Sequence, residues 1–136
     1  MKSKLRKIVI DNLTYLYVVT DNHHLGTATN TLTLKIFLTG HKQTPLIIDF
    51  LTEGQYYWLG HDLMRSPLLW GVSLNNNLTR KLTEVNLNEP KYIRKLILIG
   101  KEKGWLGTNK IEKQNGLHYL ETLGYDTINL LPTETR

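Results

Sequence analysis

Thr31-Leu32-Thr33-Leu34-Lys35-Ile36-Phe37-Leu38 is the stretch on which the reading of the fold turns. Leu32, Leu34, Ile36 and Leu38 fall on one side of an extended chain and Thr31, Thr33 and Lys35 on the other, the alternation of an antiparallel strand with one buried and one wet face. Downstream, Gly40 to Thr44 is a short polar connection, and Leu46 to Leu51 repeats the pattern with Leu46, Ile48 and Phe50 inward and Asp49 outward. Pro45 suits the start of a strand, so the two runs are expected as a hairpin. Upstream, Ile8 to Ile10 and Leu13 to Val19 are rich in β-branched, aromatic and aliphatic residues. The second of these is apolar on both sides, which suits a central strand.

Between Thr52 and Leu87 the signal weakens. Leu69 to Leu74 and Leu78 to Leu82 flank Asn75-Asn76-Asn77, residues that tolerate positive φ, and are expected as another hairpin. The character changes at Asn88, read as a helix cap, with Glu89 and Pro90 in the first turn and helical spacing to Gly104. At 100° per residue Tyr92, Ile93, Leu96, Ile97 and Ile99 gather on one side of this helix, opposite Lys91, Arg94, Lys95, Lys101 and Glu102. A second helix is expected from near Glu112 to Leu123, with Leu117, Leu120 and Leu123 on its core stripe. Lys103-Gly104-Trp105 and Leu123-Gly124-Tyr125 put glycine at a left-handed cap with an aromatic ring next, and both rings are expected to pack back on the preceding turn. The expectation is a single α+β domain over 1–136: an antiparallel sheet of about five strands with two C-terminal helices packed on one face.

A chain of 136 residues with 40% hydrophobic and 21% charged residues has the composition of one folded core. Cysteine is absent, which excludes disulfides, a thiolate zinc site and a thiol nucleophile. The basic start, Met1 to Lys7, leads into an apolar run broken by Asp11 and Asn12 with no small-residue cleavage site. No run approaches the roughly 18 apolar residues needed to span a bilayer. A cytoplasmic location without membrane insertion is expected.

The five histidines, His23, His24, His41, His61 and His118, are poorly spaced for a metal. Adjacent His23 and His24 would point to opposite sides of an extended segment, and only folding that gathered His23, His41 and Asp62 would build a centre. No cofactor or metal is expected. There is no G-x-S-x-G elbow and no S-x-x-K, and Gly26-Thr27-Ala28-Thr29 lacks the further glycines or the lysine of a phosphate loop. The acidic residues are scattered singly, so no catalytic residue is assigned and the balance leans away from an enzyme.

Gly54 to Gly71 is the richest segment, with Tyr56, Tyr57, Trp58, His61, Asp62, Arg65 and Trp70. Aromatic rings beside an arginine are the residues of binding hot spots. Trp58 and Trp70 also suit a core, but Tyr56 and Tyr57 alternate, so at least one ring should meet solvent. Leu98 falls within the charged arc of the first helix and is expected to stay outside the core and contact a partner or a second subunit, a homodimer being the simplest form. These residues compose a non-catalytic module that binds another protein through the open sheet face and the 54–71 segment.

Two alternatives follow from other residues. From Arg80 to Lys113 nine Lys or Arg stand against four Glu, within a net charge of +5 for the whole chain. Nucleic-acid binding would use Arg80, Lys81, Lys91, Arg94, Lys95 and Lys101. A small metal-dependent or acid-base enzyme would centre on His61 and Asp62. The run Val85-Asn86-Leu87-Asn88-Glu89-Pro90-Lys91-Tyr92-Ile93-Arg94, with Gly104-Trp105 and Gly116-Leu117 through Gly124-Tyr125, resembles small uncharacterised bacterial proteins. The resemblance covers the C-terminal third and implies a shared α+β layout, without an activity.

Overall fold

The alternating run at 31–38 becomes the middle strand of the sheet around which the chain is built. The structure, a computed structural model, describes residues 5–24, 26–56 and 64–132. Strands β1 (Arg6–Ile10), β2 (Leu13–His23), β3 (Thr29–Leu38) and β4 (Leu46–Glu53) form an antiparallel meander. Asp11 and Asn12, at φ 50 and 66, make the two-residue turn between β1 and β2, a conformation that Asn and Asp accept better than most residues. Strand β5 (Gln55–Tyr56) pairs with β6 (Met64–Arg65), and β7 (Val72–Asn76) with β8 (Lys81–Val85). Helix α1 (Pro90–Glu102) follows, then β9 (Gln114–Asn115) and helix α2 (Gly116–Thr122). The main sheet runs in the order β1-β2-β3-β4-β9, with the two-residue β9 parallel to β4. It is an α+β fold with a mostly antiparallel five-stranded sheet and both helices near the C-terminus, as the alternation implied.

One face of the sheet makes the core. Tyr15, Tyr17, Leu32, Leu34, Ile36, Leu46, Ile48 and Phe50 meet Tyr92, Ile93, Leu96 and Ile97 of α1 and Leu117, Tyr119 and Leu120 of α2. Each fully buried aliphatic or aromatic side chain contributes on the order of 1.5–3 kcal/mol. The helices lie close to the strands: a Cβ on Gly100 would stand 2.5 Å from Leu46 Cδ2. Glycine there removes the side chain that would hold α1 off the sheet.

Both glycine caps form as read. Gly104 and Gly124 have φ of 105 and 99. The N–H of Trp105 reaches back to Gly100 O at 3.0 Å and that of Tyr125 to Leu120 O at 3.0 Å, the longer bond of a Schellman motif. Trp105 extends beyond its own helix. Its ring lies 5.8 Å from that of Tyr15, and Nε1 donates to Thr44 O at 3.0 Å, so the end of α1 is fastened to β2 and to the β3–β4 connection.

Three boundaries differ from the sequence reading. The second hairpin turns at 77–80 instead of 75–77. Asn76 stays in β7, accepts the N–H of Leu78 and Thr79 through Oδ1, and the positive φ falls on Arg80. Leu78, read as the start of a strand, sits at the turn and is 74% exposed. Asn88 does not cap α1: Glu89 holds the cap position, and the Asn88 side-chain amide donates to Leu69 O. Helix α2 starts at Gly116, with Asn115 accepting the N–H of Leu117 at 3.0 Å, because Gln114 and Asn115 are drawn into the sheet beside β4.

Candidate functional site

The face of the sheet turned away from the helices is laid out by register. Leu16 and Val18 of β2 stand opposite Phe37 and Lys35 of β3, and Lys35 stands opposite Ile47 of β4. Asp49 follows one pair further along, opposite Thr33, whose hydroxyl donates to Asp49 Oδ1 at 2.7 Å. Val9 and Leu51 flank this area at 48% and 47% exposure. None of Val9, Leu16, Val18, Phe37, Ile47 and Leu51 belongs to the core cluster or packs against it, although Phe37 is itself nearly covered. Lys7 and Lys35 balance Asp49 and Glu53, so this face is neutral on a chain of net charge +5. A groove of about 360 Å³ lined by Asp49, Leu51, Lys113, Asn115 and Leu131 borders it at the β4 edge.

At one end of the sheet a polar network lies on the core side. Asp21 Oδ1 accepts from Asn30 Nδ2 at 2.9 Å, and Asp21 Oδ2 accepts the backbone N–H of Ser66 at 2.9 Å. A carboxylate only accepts, so the Asn30 amide turns its oxygen to His23, which donates through Nδ1 at 3.0 Å. Asn30, Thr52 and Ser66 are buried there. The Asn30 amide is compensated by these bonds, and the Thr52 and Ser66 hydroxyls by their mutual contact at 3.5 Å and by the N–H of Leu68, which Ser66 Oγ accepts at 3.4 Å. The sequence reading passes over Asp21 and Asn30. A signal exists in the phase of β2: Asp21 and His23 continue the inward positions of Tyr15, Tyr17 and Val19.

The aromatic segment is described only in part. Arg65 and Trp70 are half-buried, and the backbone of Tyr56 pairs with Met64. Tyr57, Trp58, His61 and Asp62 lie outside the described residues. Leu98 is 41% exposed on the outer side of α1, in the phase expected.

Of the basic residues, Arg80, Lys81, Lys91, Arg94 and Lys95 are exposed and Lys101 half-buried. Several have internal partners. Arg94 Nη2 donates to Val9 O at 3.1 Å and so covers the outer edge of β1, while Lys91 pairs with Glu89 at 3.4 Å. Lys91 and Lys95 stand over the Tyr92 ring at 5.2 and 5.7 Å. That ring is buried, so it offers no stacking surface to a base.

Among the described residues no three metal-ligating side chains cluster. His23 stands opposite Asn30, whereas His41 lies beyond Leu38 at the other end of β3, about 27 Å away at the rise of a strand. Topology therefore separates two members of the imagined His23, His41 and Asp62 centre. His23 and His24 do point to opposite faces, one to Asn30 and the other to the Thr31 hydroxyl at 2.6 Å.

Two phenols titrate high. Burial pushes Tyr119 up to about 12. Tyr92 is raised as well, first by burial and then by the neighbouring Tyr125 phenol. Both serve packing: Tyr92 Oη donates to Glu84 O at 2.5 Å, tying α1 to β8, and Tyr119 Oη donates to Gln114 Oε1 at 3.0 Å.

Fold and site define an α+β architecture in which one face of the main sheet packs against the helices, while on the other face, among the described residues, Val9 and Leu51 are exposed, Leu16, Val18 and Ile47 are half-buried and Phe37 is buried. No protein-family model, no curated protein and no solved structure matches the chain. Among the described residues no helix is long and apolar enough to cross a membrane.

Proposed function

We propose that this chain is a non-catalytic, cytoplasmic module that binds another protein through the open face of its sheet, with the 54–71 segment as a second contact. The observation that carries the reading is the set Val9, Leu16, Val18, Ile47 and Leu51, apolar side chains that share one face and take no part in the core. Such a face, with apolar side chains around the balanced charges of Lys35 and Asp49, is the kind of surface patch that marks an interaction site. The basic surface of α1 supports nucleic-acid binding less well, because its arginine and lysines are spent on an edge carbonyl, an ion pair and a buried ring.

Affinity capture from native cell extract, with and without nuclease, tests the reading. A protein retained in both conditions by the wild type and lost with Ile47→Asp, at unchanged melting temperature, is the expected result. Retention that nuclease abolishes, or that Ile47→Asp leaves intact, overturns it.

A further inference from the structure

A groove of about 450 Å³ opens where the β7–β8 turn meets the end of α2 and the segment that follows it. None of the apolar residues of the open sheet face lines it. We infer that this groove binds an extended peptide segment in which a lysine or arginine stands next to an aliphatic residue, a contact separate from the docking face proposed above.

The walls are apolar and bare. Leu78, at 74% exposure, is the most exposed of the large apolar residues among those described, and Ile128 is 49% exposed. Both line the groove, from different elements, together with the half-buried Leu131. A single exposed leucine at a turn is ordinary surface, but three aliphatic side chains around one concavity offer a recess for a partner's side chain.

The frame is fixed before anything binds. The Asn77 N–H donates to Gly124 O at 2.7 Å, the Asp126 N–H to Asn75 O at 2.8 Å, and Asn76 Nδ2 to Leu123 O at 3.2 Å. Gly124 makes room for Leu78, whose Cγ would stand 2.8 Å from a Cβ at that position. A preformed recess spares the ordering cost that weakens a flexible one.

Charge selects the occupant. The groove is lined by two carboxylates, Glu121 and Asp126, and by no lysine, arginine or histidine, on a chain of net charge +5. Glu121 Oε2 accepts the Thr127 hydroxyl at 3.4 Å, and Asp126 Oδ1 accepts the N–H of Ile128 at 3.0 Å. These bonds hold both side chains and leave their charge uncompensated, since among the described residues neither is paired with a cation. Two anions beside an aliphatic recess fit adjacent basic and aliphatic residues, whereas an acidic segment would be repelled.

Amide NMR shifts of the isotope-labelled full chain test the inference. The probe is N-acetyl-leucyl-arginine amide, added up to about 10 mM, enough to detect millimolar binding. Saturating shifts are expected at Leu78, Gly124, Asp126 and Ile128, with N-acetyl-glycyl-arginine amide binding about threefold more weakly or worse and N-acetyl-leucyl-glutamate amide not at all. Asp126→Asn combined with Glu121→Gln keeps both acceptors and removes both charges, and is expected to weaken the probe by about threefold or more. Leu78→Ala, at an exposed turn, is expected to weaken it likewise. Absence of saturating shifts at these amides, equal binding of the leucyl-glutamate probe, or variants that bind as wild type does overturn the inference. Shifts of the same amides on concentrating the chain without peptide would assign the groove to a second copy and overturn it as well.

Discussion

Asp21 Oδ2 holds the backbone N–H of Ser66 at 2.9 Å, 45 residues along the chain. The bond closes the β2 end of the sheet over a buried amide and two buried hydroxyls, those of Asn30, Thr52 and Ser66. Asp21→Ala would leave the Ser66 N–H and the Asn30 amide without their acceptor, at a cost of about 1–3 kcal/mol for a buried group stripped of its partner. Urea unfolding of the two proteins checks this. Equal midpoints would show the network to be solvated and expendable.

The two glycine caps should differ in what they tolerate. At Gly104 a methyl would enter open space, so Gly104→Ala meets only the backbone penalty of φ 105, about 1 kcal/mol. At Gly124 a methyl would stand 2.5 Å from Asn76 Oδ1, the atom that caps the β7–β8 turn. Gly124→Ala is therefore expected to cost more, by about 1 kcal/mol or above. Thermal unfolding of both variants gives the order, and an equal loss would mean that the Asn76 turn yields freely.

High pH should unfold the protein through its phenols. The unfolded chain releases the Tyr119 proton near pH 10, whereas the folded chain holds it to about 12. Across that window the unfolded state binds fewer protons, so raising the pH favours unfolding. The stabilisation is fully present below pH 10 and is lost as the pH climbs through about 12. Tyr92, raised in the same direction, adds to the effect. Tyr119→Phe should flatten the fall in stability between pH 10 and 12 relative to wild type. A curve of unchanged steepness would contradict the assignment.

Adjacent residues of α1 should respond in opposite ways. Ile97 is fully buried and Leu98 is 41% exposed. Ile97→Ala is expected to cost about 2–5 kcal/mol and Leu98→Asp to stay within about 0.5 kcal/mol. Chemical denaturation checks both, and a large loss at Leu98 would place it in a contact within the chain.

How far the sequence carries the fold depends on how strongly each pattern is constrained. The alternation of Leu32, Leu34 and Ile36 can be satisfied in one register only, since a slip by one residue would turn the leucines to water. The caps at Gly104 and Gly124 are legible because positive φ followed by a large apolar residue admits few structures. The second hairpin reads out of register because three asparagines in a row tolerate a turn equally well. Asn76 is held in the strand by tertiary bonds, its Nδ2 donating to Leu123 O at 3.2 Å, which no local rule reveals. For the same reason β9 reads as helix: two residues become strand only because β4 lies beside them. Of the candidate site, the second sheet face is legible in the alternation at 31–38, which sets Thr31, Thr33 and Lys35 opposite the buried leucines. The network at Asp21 is not, since a lone aspartate in a strand reads as a surface residue until its partners are in place.

The docking face is tested most directly by site-specific cross-linking. A photoreactive phenylalanine analogue placed in turn at Ile47, Leu51, Leu82 and Leu98 reports what touches each position in native extract or in the purified chain. Leu82 and Leu98 are exposed apolar residues away from the sheet's open face and serve as controls. Binding through the open face predicts discrete protein adducts from Ile47 and Leu51 and none from Leu82 or Leu98. Adducts from Leu98 or Leu82, with Ile47 and Leu51 silent, would contradict it.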